Sequence, residues 1–354
     1  MTISKKGEVK LDAPLIHSDA QLCHVDSLSM TLRYIGDRYE PWYIGGTSGR
    51  FFGFGYYPSK EYVQIRTGTF PLKALLTFLK EHGYSFQFLQ GKSWNDAFPI
   101  LKKFLLNGLP VLVISHMGWL SYNKEYEIFR KLGGVVDHYV VITGLRDDEV
   151  VYVNDPNPDF FRKDAELAIQ DFRIGWAEKI PEIYQSCPML VVSRRKHKPE
   201  LKKILAKSLQ RALKQMHTKR GATGIAGLKK ASKEIPELLR EDALSIRNSL
   251  EEFAYFRFRV IATEAKYASK FLDYAAKELN IPELKISAKK LLIASDCFKG
   301  LRNLFINCVQ GQRKLTDIAD DTEILLVKAY EAERDCFLNL ASLKYALFRH
   351  NEYE

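Results

Sequence analysis

Cysteine is scarce in this 354-residue chain: five residues, at 23, 187, 297, 308 and 336, an odd number with no C-x-x-C pair. Each sits in an apolar or helical pattern, which argues against a disulfide framework and a cysteine zinc site. No run of 18 apolar residues occurs, so no membrane-spanning helix is expected. Residues 1–7 carry a basic pair with no apolar stretch behind it, which does not read as a secretory signal, and a cytoplasmic protein is the expectation. No G-x-x-x-x-G-K-[ST] loop is present, and Gly53-Phe54-Gly55 lacks the third glycine and the acidic partner of a dinucleotide site. His116 and His138 stand apart from Cys and acid pairs, so neither reads as a zinc ligand. No cofactor and no metal are expected.

The composition, 46% apolar and 27% charged, belongs to a folded globular protein with room for two cores. Its net charge of +10 is concentrated. Residues 194–220 hold eleven Lys or Arg against the single acid Glu200, leaving the remainder close to neutral. Such a segment suits an acidic protein, an anionic surface or nucleic acid, or it is a solvated helix face. The aromatic cluster at 51–57 lacks interleaved basic residues beyond Arg50 and Lys60, so it reads as pocket lining or core and not as a nucleic-acid stacking platform.

The hydrophobic period changes near residue 195. Before it, helices are expected over 23–35, 71–82 and 94–107, each ended by a nearby glycine, and strands over 85–89, 110–115, 138–143, 150–154 and 189–193. After it, i, i+3, i+4 spacing predicts helices over 201–216, 235–248, 251–279, 285–306 and 320–349. The expected organisation is a first domain over 1–195, a basic helix and flexible glycine-containing connection over 196–227, and a helical domain over 228–354.

Three residues carry the candidate chemistry. Cys23 opens a helix, where the positive end of the helix dipole favours a thiolate. His138 opens a strand and Asp155 closes the next, and a hairpin with its loop at 144–149 brings them side by side. A thiol, an imidazole that moves its proton and a carboxylate that orients the imidazole are the parts of a thiol acyl-transfer site. Taken singly, each has a bland reading as core cysteine, structural histidine or turn aspartate; their conjunction in the order Cys, His, Asp points to an enzyme. His24 is expected on the helix surface.

Gln21-Leu22-Cys23, Asp137-His138-Tyr139-Val140 and Tyr152-Val153-Asn154-Asp155-Pro156 resemble the papain-like cysteine peptidases that process bacteriocin leader peptides. With Arg38-Tyr39-Glu40, the Gly- and aromatic-rich stretch at 45–57, Gly108-Leu109-Pro110 with Trp119-Leu120-Ser121-Tyr122, and the arginine-containing helix at 255–272, the chain looks more like the butirosin biosynthesis protein H family. That resemblance implies an α+β papain-like domain with a C-terminal α-helical domain. It also implies transfer of an acyl group from an acyl carrier protein thioester, through Cys23, to an amine on a small molecule in natural-product biosynthesis. His138 and Asp155 complete the triad, and an acidic carrier gives the basic segment a docking role. Papain-like enzymes commonly place an oxyanion glutamine five or six residues before the cysteine, where His17 and Ser18 stand here; Gln21 is the nearest substitute, beside the Cys23 backbone N–H. A cysteine peptidase or amidase using the same residues, and a non-catalytic binding module, are the rival readings, and the oligomeric state is open.

Overall fold

The computed structural model describes residues 2–3, 8–16, 22–123, 127, 130, 137–157, 162–177, 186–217 and 222–343. In chain order the first elements are β1 (Thr2–Ile3), β2 (Glu8–Lys10), α1 (Cys23–Tyr34), α2 (Pro41–Ser48), β3 (Phe54–Pro58), β4 (Val63–Thr67) and α3 (Pro71–Glu81). There follow β5 (Tyr84–Gln90), α4 (Trp94–Leu106), β6 (Val111–His116), β7 (Asp137–Arg146), β8 (Val150–Asp155), β9 (Arg162–Ala168), α5 (Ile169–Ala177) and β10 (Pro188–Arg195). The remainder is helical: α6 (Leu201–Met216), α7 (Gly224–Arg240), α8 (Leu244–Glu252), a π-helical turn (Phe253–Arg257), α9 (Phe258–Leu279), α10 (Leu284–Val309) and α11 (Ala319–Ser342).

Two compact units result, Met1–Pro41 with Leu79–Lys198, and Trp42–Phe78 with Pro199–Glu354. Sequence periodicity drew one boundary near 195 and left residues 42–78 in the first half. In the structure that stretch packs with the later helices, because Phe54, Tyr56, Val63 and Ile65 on the β3–β4 hairpin enter the core formed by Leu228, Ile235, Phe253 and Phe298.

The first unit is built on an antiparallel sheet of order β1-β2-β7-β6-β10-β5, with β8 on β7 and β9 on β8. The long strand β7 is its axis: β6 and β2 share one edge, at 137–142 and 144–146, while β8 takes the other. Alternation puts Val140 and Ile142 of β7 with Val151 and Val153 of β8 in one core, under Leu101 and Leu105 of α4 and Phe172 and Trp176 of α5. Burying each such side chain fully is worth roughly 1.5–3 kcal/mol. A ladder of rings, Trp94 on Phe98 at 4.5 Å and Phe172 on Trp176 at 5.0 Å, closes this face.

The β7–β8 hairpin is tighter than the expected six-residue loop. Strand β7 runs on to Arg146, and the chain reverses through Asp147 and Asp148, with φ of 52° and 58°, closed by the Glu149 N–H on the Arg146 carbonyl at 3.0 Å. Two left-handed residues in sequence are the twist a two-strand hairpin needs. Gly144, expected in the loop, lies at an irregularity inside the strand, where a Cβ would sit 2.2 Å from the Val9 carbonyl oxygen.

In the second unit, small residues of α9 (Ala262, Ala265), α10 (Ala288, Ala294) and α11 (Ala329, Ala332) are buried along the helices. Buried Glu264 of α9 pairs with Arg50 at 3.0 Å and accepts from Thr67 Oγ1. The glycines expected in a flexible connection instead open α7: Gly224 has φ +64°, and a Cβ on Gly227 would meet the Ala222 carbonyl oxygen at 2.6 Å. Residues 218–221 of that connection, and 344–349 of the helix expected over 320–349, lie outside the described residues. Among the described residues no helix is long and apolar enough to cross a membrane.

Candidate active site

Helix α1 begins at Cys23 with Leu22 as its N-cap, a side chain that caps nothing. By contrast, α4 begins at Ser93, whose hydroxyl accepts the Asp96 N–H at 3.3 Å. The first intrahelical N–H of α1 to find its carbonyl is that of Asp26, on Leu22 at 3.1 Å. The N-terminal end of the helix dipole therefore lies beside the Cys23 sulfur and contributes positive potential there. The helix is held rigidly: every residue from His24 to Leu32 is buried. Its polar members bond to backbone, Ser27 Oγ to the Tyr139 carbonyl of β7 at 2.9 Å and Thr31 Oγ1 to the Ser27 carbonyl at 3.0 Å.

His138 opens β7 and Asp155 closes β8, the strand paired with it. His138 Nε2 is 2.8 Å from Asp155 Oδ1, and both side chains are almost wholly buried. Cys23 lies near enough to the same imidazole to favour its charged form. With Nε2 committed to the carboxylate, Nδ1 is the ring nitrogen left for the sulfur. Three distant stretches of chain thus bring Cys23, His138 and Asp155 together, the sulfur partly exposed and the other two sealed.

Burial disfavours the His138 imidazolium, yet the charge of Asp155 and the nearby Cys23 outweigh it and hold the ring well above the usual histidine range. Asp155 accepts hydrogen bonds from three donors in this dry setting. Besides His138, the Asn157 N–H reaches Oδ1 at 2.8 Å and the Tyr122 hydroxyl reaches Oδ2 at 2.6 Å. Tyr122 is the site residue that sequence reasoning passed over; it stood inside the quoted Trp119-Leu120-Ser121-Tyr122 stretch, with no signal linking it to a carboxylate 33 positions on.

His24 corrects an expectation. It is buried, with its ring edge-on to Tyr139 at 6.0 Å, because α1 packs against β7 and β6 along the side expected to face water. Gln21, with His17 and Ser18, lies outside the described residues. Burial pushes the Cys187 thiol up to about 12 and raises those of Cys297, Cys308 and Cys336, which makes them poor nucleophiles. Among the described residues no group of three or more His, Cys, Asp or Glu side chains is placed to hold a metal ion.

A cavity of about 380 Å³ lies elsewhere on this unit, lined by Tyr84, Phe86, Phe104, Leu109, Val191 and Lys196 among others, none of them in the three-residue cluster. The basic segment is less uniform than its composition. Arg195 turns inward, donating to Tyr39 and Tyr84 hydroxyls at 2.6 and 2.7 Å and pairing with Asp37 at 3.2 Å. Arg194, Lys202, Lys207 and Lys214 are exposed.

No curated protein matches the chain. Residues 6–179, which contain Cys23, His138 and Asp155, match the model of the Peptidase_C39 like family, and this stretch is a papain-like α+β domain related to the cysteine peptidases.

Proposed function

We propose that the chain is a thiol-dependent acyltransferase that takes an acyl group from an acyl carrier protein thioester and delivers it to an amine on a small molecule. The observation that carries a covalent reading is the buried 2.8 Å His138–Asp155 contact with Cys23, at the N-terminus of α1, close to the same imidazole. In the first half-reaction Cys23 Sγ attacks the acyl carbonyl carbon, the bond from that carbon to the carrier sulfur breaks, and the imidazolium of His138 gives the departing thiolate its proton. The Cys23 N–H, at the first position of α1, suits the oxyanion. In the second half-reaction the amine attacks the Cys23 thioester, His138 takes the amine proton, a C–N bond forms and the Cys23 thiolate is regenerated. No cofactor is required by these steps. Asp155 fixes the ring and offsets the imidazolium charge throughout.

The partner reading has its own support. Exposed Lys202, Lys207 and Lys214 along α6 offer positive charge to an acidic carrier, while Arg195 is engaged within its own unit. Reversing the charge of these three lysines is expected to raise KM for carrier-bound substrate and leave a small soluble thioester unaffected; equal KM values would remove the carrier from the account.

A second reading, a peptidase or amidase with water as acceptor, is favoured by the family match over residues 6–179. One experiment separates the two. The protein is mixed with an acyl carrier thioester and followed by intact mass: an acyl adduct that is absent in Cys23→Ala and discharges only on adding amine supports the transferase. An adduct lost to water without amine, or cleavage of peptides, supports the hydrolase. A Cys23 that resists alkylation at neutral pH, with no adduct, leaves a binding module.

A further inference from the structure

Tyr122 occupies a place that its position in the chain does not explain. It follows β6 and a 3₁₀ turn (Met117–Trp119), and the loop is fastened by the Asn123 N–H on the Leu120 carbonyl at 2.9 Å. Strands β6 and β8 flank β7 on opposite edges. A loop leaving β6 therefore spans the strand that carries His138 in order to bring a phenol hydroxyl to Asp155 on β8. The bond is short, 2.6 Å, and goes to Oδ2, the oxygen opposite the one that accepts from His138 and Asn157.

We infer that Tyr122 is a positioning residue, which acts through Asp155 to hold the carboxylate with its Oδ1 turned to His138. The inference rests on Cys23, His138 and Asp155 being the reacting set. A buried carboxylate needs donors on both oxygens, since an unpaired charged oxygen in a water-poor site costs more than its hydrogen bond is worth in water. Oδ1 has two donors and Oδ2 has the tyrosine. The phenol is partly buried, and both burial and the charge of Asp155 hold its ionisation well above the ordinary tyrosine range, so it stays a donor wherever the site operates. Removing this hydroxyl takes a donor from the charged form of Asp155. The carboxylate is then free to turn from His138, and the imidazolium loses the partner that holds it.

The test reads the pH profile of Cys23 alkylation by iodoacetamide, resolved by peptide mass, in wild type, Tyr122→Phe and Asp155→Asn. In Tyr122→Phe the acid limb is expected to move to higher pH and the rate at pH 6 to fall about tenfold, the loss expected when one charge-assisted hydrogen bond is removed. Asp155→Asn is expected to lose the profile more completely. A wild-type profile in Tyr122→Phe beside an altered Asp155→Asn overturns the role of Tyr122 alone. Wild-type profiles in both variants overturn the reading of the triad itself. A thermal melt separates a loop-holding role, which lowers Tm and leaves the limb in place. Should Tyr122→Phe not fold, tyrosine-labelled wild-type protein supplies the same answer by NMR: the Tyr122 ring resonances must shift with the midpoint of the alkylation acid limb, and an invariant ring refutes the coupling.

Discussion

A histidine with its ring sealed from water is ordinarily neutral, and His138 departs from this because Asp155 and Cys23 face it and favour its charged form. The stability consequence has a definite sign. Its folded value lies above the unfolded value of 6.5, so the contribution of the pair is fully present below about pH 6.5 and is lost as pH rises through the folded value. Thermal melts of wild type are therefore expected to show a decline on the alkaline side that Asp155→Asn lacks. At pH 6 that variant is expected to be less stable by about 3–5 kcal/mol, the usual cost of leaving one partner of a buried pair alone. Parallel melting curves for the two proteins from pH 6 to 9 would contradict it. The start of α1 at Cys23 and the contact of His138 with Asp155 were legible in the sequence because a thiol opening an apolar helix and the two ends of a hairpin are local patterns. Tyr122 was not, since its partner is reached across a strand, and His24 was misjudged because nothing local says that both sides of α1 are covered.

Elements were legible where one periodicity dominated. Strands β5, β6, β7, β8 and β10 and helices α1, α3 and α4 follow from β-branched runs, proline and serine starts and glycine stops. Strand β9, Arg162–Ala168, went unseen because its only buried positions are Ala165 and Leu167 between exposed polar residues. Helix α7 starts eleven residues earlier than its expected neighbour over 235–248 because Gly224 and Gly227 serve close backbone approach. Two tests belong here. Helix α11 buries Glu333, and burial pushes its carboxyl from 4.5 up to about 7. The folded state thus holds a proton that the unfolded state releases, and stability falls as pH rises from 4.5 through 7. Glu333→Gln is expected to raise Tm at pH 8, by the equivalent of about 3 kcal/mol at most, and to change little at pH 4.5. An equal effect at both values would show that the carboxyl is not held protonated. Ser93→Ala removes the cap of α4 and is expected to cost about 1 kcal/mol in urea unfolding without altering Cys23 alkylation. A change in alkylation would place α4 in the chemistry.

At the scale of the whole molecule the change of period near 195 was visible, and the affiliation of residues 42–78 was not. A hairpin of Phe54, Tyr56, Val63 and Ile65 reads as part of whichever core it precedes, and only the fold shows it joined to helices that begin more than 150 residues later. Net charge was legible as a segment, but which cations are available depended on Arg195 finding Tyr39, Tyr84 and Asp37. The central claim is that one sulfur of five is activated by an imidazolium. Its most direct measurement is the rate of iodoacetamide alkylation at pH 6, cysteine by cysteine, in native wild type and His138→Asn. The account predicts that Cys23 reacts far faster than the partly exposed Cys308, and that His138→Asn removes the difference. Equal rates at Cys23 and Cys308 in wild type, or a Cys23 rate untouched by His138→Asn, would contradict it.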